Sequence, residues 1–282
     1  MKLFTRRAAL RTGLLGVAGT GSLAYGNLIE RHQLTVEQVN CPLKDEHSDL
    51  AGLRIAMVAD FHFDELQEGE LVDRCVKLIN AQKPDLVVLC GDYVSHDREP
   101  IERLSQHLAQ LSAPPGVFAV LGNHDHWSGA GHITRQLSSS GIEVLRNQAP
   151  TLTYRHSPFQ LAGLGSAWAG AADYKHALPA STKPPSSSPP VILAIHEPDF
   201  FDRICKDPRL VLQLSGHTHG GQVCAPFLGA IRLPSWGKNY VSGLYQRHDS
   251  HIYVTRGVGT LFPHVRFCCP PEISLITLSA NV

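Results

Sequence analysis

The sequence lacks several features that would assign it to common protein classes. Among its 282 residues, the part after residue 26 contains no strongly apolar run long enough for a membrane-spanning helix. Its seven cysteines include no C-x-x-C pair, which argues against a zinc knuckle or a thioredoxin-type site. Since seven is odd, at least one thiol is free or pairs between chains, and we expect buried thiols with at most one disulfide. We find no internal repeat.

Basic residues are also scarce outside the N-terminal segment. The sequence has 25 basic and 25 acidic residues, but four of the basic ones lie in residues 1–26, where there is no acid. The remainder therefore has 21 basic and 25 acidic residues and a net charge of −4. A basic face for nucleic acid is not expected. A protein that acts on phosphate without such a face needs another source of positive charge, and bound metal is one.

Residues 1–26 have the order of an export signal. A basic start precedes a mildly apolar stretch of Gly, Ala and Leu, and small residues follow. The pair Arg6-Arg7 resembles a twin-arginine signal. We therefore expect an exported protein, periplasmic or associated with the inner membrane, that uses the twin-arginine export machinery. The segment is either cleaved near Gly26 or kept as a membrane anchor, and an ordinary amphipathic helix is the alternative.

Apolar runs alternate with helical patterns through the first half of the body. After a polar, irregular lead-in over 27–50, buried strands are predicted at 53–59, 85–90, 116–121, 191–195 and 210–214, further strands at 251–255 and 272–278, and helices at 68–82, 99–111 and 131–140. The order strand, helix, strand predicts an α/β fold with parallel strands. The Pro/Ser-rich stretch 179–190 predicts a surface loop.

Five of these strands end in a polar cluster. The clusters are Asp60-Phe61-His62, Gly91-Asp92, Gly122-Asn123-His124-Asp125, His196 and Gly216-His217-Thr218-His219. Because sites in α/β sheets form at the carboxyl ends of strands, we expect these side chains to meet in one crevice. Oxygen and imidazole ligands without thiolate suit Mn²⁺, Fe or Zn²⁺ better than Ca²⁺, and the imidazoles argue against a pure Mg²⁺ site. Each motif alone is weak, so the prediction rests on the ordered set.

This ordered set resembles the calcineurin-like metallophosphoesterases, over Leu53 to Leu278. The runs 216–222, 240–243 and 255–259 are similar to a twin-arginine-exported bacterial phosphodiesterase branch, related to UDP-2,3-diacylglucosamine pyrophosphohydrolases. The resemblance implies a four-layer α/β/β/α sandwich with two central mixed sheets, formed by a catalytic domain over 51–282.

The resemblance also implies roles for single residues. The first metal ion would be held by Asp60, His62 and His219, and the second by Asn123, His196 and His217, with Asp92 bridging both. His124 would touch the leaving-group oxygen while Asp125 orients its ring. Two divalent ions are expected, with Mn²⁺ preferred and Fe, Zn²⁺ or Mg²⁺ as alternatives. Arg256 and Tyr240 are weaker candidates for substrate binding; a surface ion pair and ordinary packing are their alternatives.

The expected activity is metal-dependent hydrolysis of a phosphoric ester. A metal-bridging hydroxide would attack the phosphorus of a phosphodiester or pyrophosphate, and His124 would protonate the leaving group. The substrate could be a small phosphodiester, a nucleotide or a phospholipid-type molecule, with membrane association through the N-terminus. A phosphomonoesterase or nucleotidase, a non-catalytic metal-binding scaffold, and a periplasmic metal-storage or sensing protein remain alternatives.

Overall fold

Two six-stranded sheets form the centre of the protein. The computed structural model describes residues 20–64, 69–179 and 188–280. Most of the predicted export signal (1–19) and most of the predicted loop (180–187) therefore lie outside the described residues. Within the described ranges, no helix combines the length and the apolar character needed to cross a membrane.

The helices and strands follow one another along the chain in the predicted α/β order. The strands are β1 Thr35–Leu43, β2 Arg54–Val58, β3 Leu86–Cys90, β4 Val117–Val120, β5 Ile142–Val144, β6 Thr151–Tyr154, β7 Ser157–Gly163, β8 Val191–Ala194, β9 Leu210–Ser215, β10 Cys224–Ala225, β11 Gly229–Ala230, β12 Gly243–Arg247, β13 Ser250–Val254 and β14 Glu272–Ala280. The α-helices are α1 Gly69–Ala81, α2 Ile101–Leu108, α3 Asn123–Ser139, α4 Tyr174–Ala177 and α5 Phe201–Ile204, and residues 20–28 are also helical. Short 3₁₀ turns occupy Glu30–His32, Asp45–Leu50, Pro198–Phe200 and His219–Gly221.

Both large sheets are mixed. The first has the order β1-β14-β2-β3-β4-β5, and the second has the order β12-β13-β9-β8-β7-β6. Strands β2, β3 and β4 run parallel in the first sheet, as do β7, β8 and β9 in the second. The carboxyl ends of parallel neighbours share one edge of a sheet, so the residues that follow these strands are brought close together.

Side chains on both faces of each sheet are buried, which produces four layers. Along β2, Ala56 and Val58 belong to the core under α1, α2 and α3, whereas Ile55 and Met57 belong to the core between the sheets. A third core lies between the second sheet and α4 and α5. The alternation follows from the two-residue period of a strand. The predicted α/β/β/α sandwich with two central mixed sheets is confirmed.

Two elements differ from the sequence prediction. The lead-in, expected to be irregular, contains β1, which pairs in parallel with β14 from Thr35 opposite Glu272 to Leu43 opposite Ala280. This strand lies at a sheet edge and is only partly buried, so it shows no continuous apolar run. Helix α3 begins at Asn123 instead of near 131, because its first turn carries the polar motif in place of an amphipathic pattern.

All seven cysteines lie in the described ranges, and none forms a disulfide. Five of them are buried, and Cys268 is exposed. Burial raises the pKa of the Cys41 and Cys75 thiols to about 12. The prediction of buried thiols is therefore confirmed.

Candidate metal centre

The candidate ligands lie directly after the strands that the sequence predicted. Asp60 and His62 follow β2, Asp92 follows β3, Asn123 follows β4, His196 follows β8, and His217 and His219 follow β9. All seven side chains are buried. The first sheet supplies the first four and the second sheet supplies the last three, so the site lies across the edges of both sheets.

Five of these residues have an unusual backbone conformation. The φ angles are 55° at Asp60, 43° at His62, 54° at Asp92, 77° at His217 and 53° at His219. Such left-handed conformations are uncommon for residues other than glycine and cost of order 1 kcal/mol or more each. The chain turns sharply at each strand end, and this turn aims the side chain across the sheet edge. Strain of this kind clusters at functional sites.

Asp60, His62 and His219 form the first group of candidate ligands. The Nε2 atoms of His62 and His219 are 3.0 Å apart, and His219 Nε2 is 3.5 Å from Asp60 Oδ1. Each residue offers one ligand atom, and these atoms lie within 4.8 Å of one another. Two ligands bound at right angles, each about 2.1 Å from the same ion, would be separated by about 3.0 Å. The spacing of the group suits a metal ion.

Asp92, His196 and His217 form a second group, whose ligand atoms also lie within 4.8 Å of one another. His196 Nε2 is 3.0 Å from Asp92 Oδ2, and the same carboxylate oxygen is 3.6 Å from His62 Nε2. Asp92 therefore faces both groups. Both polar side-chain atoms of Asn123 are buried and have no hydrogen-bond partner. Buried amides are normally paired, so this side chain suits a ligand to an ion beside the second group.

Backbone carbonyls fix the orientation of two histidine rings. His196 Nδ1 donates to the Cys90 carbonyl at 2.6 Å, and His217 Nε2 donates to the Ser235 carbonyl at 2.7 Å. The carbonyl partners place the proton on these nitrogens and leave Nε2 of His196 and Nδ1 of His217 available to a ligand. Metal-binding histidines are commonly oriented in this way.

Burial keeps most of the imidazoles neutral. It lowers the pKa of His62 and His217 to about 3, and it lowers the pKa of His219 well below its ordinary value. Neutral imidazole has the free lone pair that a metal ion requires. These three side chains therefore match the protonation state of metal ligands at neutral pH.

The buried carboxylates of Asp60 and Asp92 need a positive charge nearby. Burial, with the neighbouring Asp92 charge, raises the pKa of Asp60 to about 7. Burial also opposes ionisation of Asp92, but the facing His196 outweighs it and holds the pKa of Asp92 far below its usual range. Burial alone would lower the pKa of His196, yet Asp92 raises it well above its ordinary value. Buried charges need partners, and divalent cations fit these residues in place of the proton.

His124 lies beside both groups and is half-buried. Its backbone N–H donates to Asp92 Oδ1 at 2.9 Å, and its ring meets the His62 ring edge-on with centroids 4.9 Å apart. Its Nδ1 donates to the Ser95 carbonyl. Ser95, which sequence reasoning did not identify, therefore holds the His124 ring next to the candidate ligands.

The resemblance implied that Asp125 orients the His124 ring, but in the structure its carboxylate bonds backbone N–H groups. Its carboxylate accepts the backbone N–H groups of Asp92 at 2.8 Å, Tyr93 at 2.9 Å and Gly122 at 2.9 Å. Asp125 lies in the first turn of α3 and points back toward the turn after β3. Its role in the structure is to hold the turns that carry Asp92 and Asn123.

Arg256 and Tyr240 contact other groups and do not line the cavity over the site. The Arg256 guanidinium pairs with Glu37 at 2.7 Å and Glu272 at 3.1 Å. The Tyr240 hydroxyl donates to Asp202 at 2.6 Å, and the residue is buried. These contacts match the alternatives of an ion pair and ordinary packing, and substrate binding by either residue stays a prediction.

Glycines beside Asp60 allow the close approach of neighbouring segments. A Cβ on Gly257, whose φ is 67°, would lie 2.6 Å from the Asp60 Cβ, and a Cβ on Gly216 would lie 2.5 Å from Asp60 Oδ2. Gly259 donates its N–H to the Asp60 carbonyl at 2.7 Å. The run Thr255–Gly259 therefore supports Asp60 through its glycines. The sequence analysis had named a different residue of this run, Arg256, and had expected it to bind substrate.

A cavity of about 700 Å³ opens over the candidate ligands. Its floor includes Asp92, Asn123, His124, His217 and His219. Its walls include Trp168, Ile231, Leu233, Pro234, Lys238 and Phe262. These wall residues come from loops, including the segment that follows β11, and loops carry no periodic pattern, so no sequence signal identified them.

Glu197 holds one wall of this cavity in place. Its buried carboxylate accepts the backbone N–H groups of Ala167 at 2.9 Å and Trp168 at 3.2 Å, together with the Ser166 hydroxyl. The Trp168 ring lies 5.5 Å from the His217 ring. Glu197, next to His196 in the sequence, thereby fixes an aromatic side chain at the mouth of the site.

Comparisons with known proteins agree with this geometry. The family described as calcineurin-like phosphoesterase matches residues 53–221. The chain is 32% identical to the uncharacterized metallophosphoesterase YkuE of Bacillus subtilis, over 100% of both chains. It is 33% identical to the phosphodiesterase YaeI of Escherichia coli, over 98% of this chain and 100% of that one. It is 26% identical to the UDP-2,3-diacylglucosamine pyrophosphatase LpxG of Chlamydia trachomatis, over 89% and 91% of the chains. The chain therefore belongs to the calcineurin-like phosphoesterase family and is a metallophosphoesterase, a hydrolase of phosphoric esters.

Proposed function

We propose that the site holds two divalent metal ions and hydrolyses a phosphodiester or pyrophosphate bond. The observation that carries this proposal is the position of Asp92, whose carboxylate faces two groups of candidate ligand atoms, and each group draws residues from both sheets. Each group alone would suit one ion. A shared carboxylate between them suits a pair of ions that act on the same phosphoryl group.

We assign the ligands to the two ions in the way that the family resemblance implies. Asp60, His62 and His219 would hold the first ion, and Asn123, His196 and His217 would hold the second, with Asp92 between them. When bound, the ions supply Lewis-acid activation of water and offset charge on the phosphoryl oxygens. The mixture of imidazole and oxygen ligands favours Mn²⁺, with Fe, Zn²⁺ and Mg²⁺ as alternatives.

His124 would protonate the leaving-group oxygen. The Ser95 carbonyl accepts from Nδ1, so the imidazolium form of the ring would transfer the proton on Nε2 and keep the one on Nδ1. A positioned acid of this kind contributes about 10²–10⁴ in rate. Asp125, through the N–H groups of Asp92 and Gly122, would keep the bridging carboxylate and Asn123 in register.

The chemistry of the cavity supports a phosphodiester or a pyrophosphate as substrate. Its walls are largely apolar, and their cationic side chains are those of Arg232 and Lys238. Relatives with the names phosphodiesterase and pyrophosphatase match most of this chain. The substrates expected are small phosphodiesters, nucleotides or phospholipid-type molecules.

We also propose export by the twin-arginine machinery to the periplasm or the inner membrane. The support is the order of residues in 1–26 and the pair Arg6-Arg7. Replacement of both arginines by lysine should keep the protein in the cytoplasm, which fractionation would detect. An unchanged distribution would contradict this route.

The test of the activity combines metal analysis with a substrate panel. Purified protein should contain about two metal ions per chain and should hydrolyse bis-p-nitrophenyl phosphate or a nucleoside diphosphate sugar faster than p-nitrophenyl phosphate. Faster hydrolysis of the monoester would indicate a phosphomonoesterase. Full metal content without hydrolysis of any ester would contradict the enzyme and indicate a metal-storage protein or scaffold.

A further inference from the structure

Several large apolar side chains are exposed in the described structure. Within the described ranges they are Leu23, Tyr25, Leu28, Ile29, Trp127, Trp168, Phe227, Leu228, Ile231 and Phe262. Trp168 lines the cavity and its ring lies 5.1 Å from that of Trp127. The others belong to the N-terminal segment 20–29, to the β10–β11 hairpin with the residue after it, and to the loop at 262. Singly scattered apolar residues need no explanation, but a concentration of them marks an interaction surface.

Hydrogen bonds join the hairpin to the segment 261–267. The Cys224 N–H donates to the Phe267 carbonyl at 2.9 Å, and the Gln222 side chain bonds both the N–H and the carbonyl of Leu261 at 2.9 Å. Phe227 and Leu228 occupy the turn of this hairpin, and Phe262 follows Leu261. The exposed residues of both segments therefore lie on one connected unit.

The N-terminal helical segment, residues 20–28, attaches to the same unit. Asn27 Nδ2 donates to the His264 carbonyl at 2.6 Å, and the Arg266 N–H donates to the Gly26 carbonyl at 3.2 Å. The Tyr25 and Phe267 rings are 6.4 Å apart. The residues that precede this segment in the sequence include Lys2, Arg6, Arg7 and Arg11 and no acid. The chain thus enters the described structure at the apolar face, defined as Leu23, Leu28, Phe227, Leu228, Ile231 and Phe262.

The apolar face continues into the active-site cavity. Ile231 and Phe262 are both strongly exposed and also line the cavity whose floor carries Asp92 and Asn123. Phe227, Leu228, Ile231 and Phe262 are between 69% and 107% exposed. Side chains at a hairpin turn project from the surface and do not form a flat patch, which suits insertion into a soft layer better than contact with a rigid protein partner.

A cationic cleft lies next to the apolar face. The cleft has a volume of about 330 Å³ and includes Asn27, Arg31, Arg74 and His264. Arg31 donates to the His264 carbonyl at 3.4 Å and Arg74 to the His32 carbonyl at 3.3 Å, so these guanidiniums contact backbone oxygens. Glu70 is the acid among the cleft residues. Two guanidiniums beside exposed apolar side chains complement a surface with phosphate head groups above acyl chains.

We propose that the apolar face docks on an anionic lipid bilayer. The apolar side chains enter the interfacial region, the Arg31–Arg74 cleft meets lipid phosphates, and the mouth of the cavity faces the bilayer. The substrate is then a phosphoester whose acyl chains remain in the membrane while its phosphate reaches the metal ligands. This last point rests on the proposed function, whereas docking itself does not.

Vesicle sedimentation of the full chain tests the docking. Protein should bind vesicles of phosphatidylcholine with phosphatidylglycerol and bind pure phosphatidylcholine vesicles more weakly, since the surface potential adds to apolar insertion. The double variant Phe227→Ser, Leu228→Ser should bind anionic vesicles at least about 10-fold more weakly, because each large apolar side chain contributes to insertion. The matched control Phe227→Leu, Leu228→Phe keeps the same side chains at the turn and should bind as the unaltered protein does.

A second pair of changes tests the cleft. Arg31→Glu with Arg74→Glu should weaken binding to anionic vesicles and change binding to neutral vesicles little. If the unaltered chain binds no vesicle, or if both double variants bind as it does, the docking proposal is wrong. A concentration-dependent dimer that the serine variant loses, without vesicle binding, would also overturn it, since the face would then be an interface between copies.

Hydrolysis separates this proposal from the proposed function. The serine variant should hydrolyse soluble bis-p-nitrophenyl phosphate at the unaltered rate, since neither residue lines the cavity, and should hydrolyse vesicle-embedded phospholipid at least about 10-fold more slowly. Equal loss on both substrates would contradict selective access from the membrane. Vesicle binding by a protein that hydrolyses no phosphoester would support docking and contradict the proposed function.

Discussion

At the scale of single residues, Asp92 connects the two ligand groups. One of its carboxylate oxygens is 3.0 Å from His196 Nε2 and 3.6 Å from His62 Nε2. Its other oxygen accepts the His124 N–H at 2.9 Å. One carboxylate thus contacts both candidate ligand groups and the backbone of the proposed acid. The two predictions at this scale separate the bridging role of Asp92 from the acid role of His124.

The change Asp92→Asn keeps the shape of the side chain and removes its charge. We expect turnover to fall at least about 100-fold and at least one metal ion to be lost, because a bridging ligand must be anionic. Metal analysis and hydrolysis of bis-p-nitrophenyl phosphate measure both effects. Asp49→Asn, at an exposed position outside the site, is the control. Two retained ions with unaltered turnover would contradict a bridging role.

The change His124→Gln removes the proposed acid and leaves all seven candidate ligands in place. Turnover of an alkyl phosphodiester should fall about 10²–10⁴-fold, because a poor leaving group needs a proton, and a nitrophenyl diester should lose much less. Metal content should stay unchanged. His156→Gln, at an exposed position, is the control. Equal losses on both substrates would exclude His124 as the acid.

At the scale of elements, the turns after the strands are the functional units. The turns after β2, β3 and β9 place ligands in left-handed conformations, and nearby glycines let the turns approach one another. Asp60 illustrates this, because it accepts the His217 N–H at 3.0 Å while Gly216 leaves space beside its carboxylate. The first group of ligands therefore depends on the fit between the turns after β2 and β9.

The change Gly216→Ala tests that fit. Its Cβ would lie 2.5 Å from Asp60 Oδ2, so the carboxylate must move and affinity for metal should fall about 10–100-fold. Titration of the chelated protein with Mn²⁺ measures the change. Gly131→Ala in α3 is the control, because its nearest neighbour would be an Arg135 side-chain atom at 3.6 Å. It should bind metal normally and stabilise the helix by about 0.5–1 kcal/mol. Unaltered affinity in Gly216→Ala would show that the turns adjust freely.

The elements also show what the sequence can predict. Buried strands such as β2 and β3 were predictable because their apolar runs end at polar residues, and these ends place the candidate ligands. Strand β1 was not predictable, because its residues alternate little between apolar and polar. They form a strand by pairing with β14, which lies far away in the sequence. The ion pair of Arg256 was not predictable for a similar reason, since its partner Glu37 lies 219 positions earlier. The walls of the cavity depend on loops whose placement follows from tertiary contacts alone.

At the scale of the whole molecule, the candidate metal centre joins two layers. Asp60, His62, Asp92 and Asn123 come from the first sheet, and His196, His217 and His219 come from the second. Metal ions bound there would cross-link the two sheets at one edge. Metal binding should therefore add to the stability of the entire fold as well as to activity.

Removal of metal by a chelator should lower the thermal midpoint and abolish hydrolysis. A ligand present at 100 times its dissociation constant stabilises the native state by about 2.7 kcal/mol, which corresponds to a shift of roughly 5–10 °C in a chain of this size. Mn²⁺ should restore both properties, and Ca²⁺ should restore neither, because imidazole ligands suit it poorly. Differential scanning calorimetry and the diester assay measure the two effects. Full activity after chelation would contradict any role for metal.

The position of β14 sets a limit on when the protein can fold. This strand covers Glu272–Ala280, yet it lies between β1 and β2 and pairs with both. Translation produces these residues after the other described strands, so until they emerge the nascent chain lacks the strand that supports β2 and the turn carrying Asp60. Folding of the first sheet must therefore wait until Glu272–Ala280 has left the ribosome, although β2, β3 and β4 are synthesised much earlier.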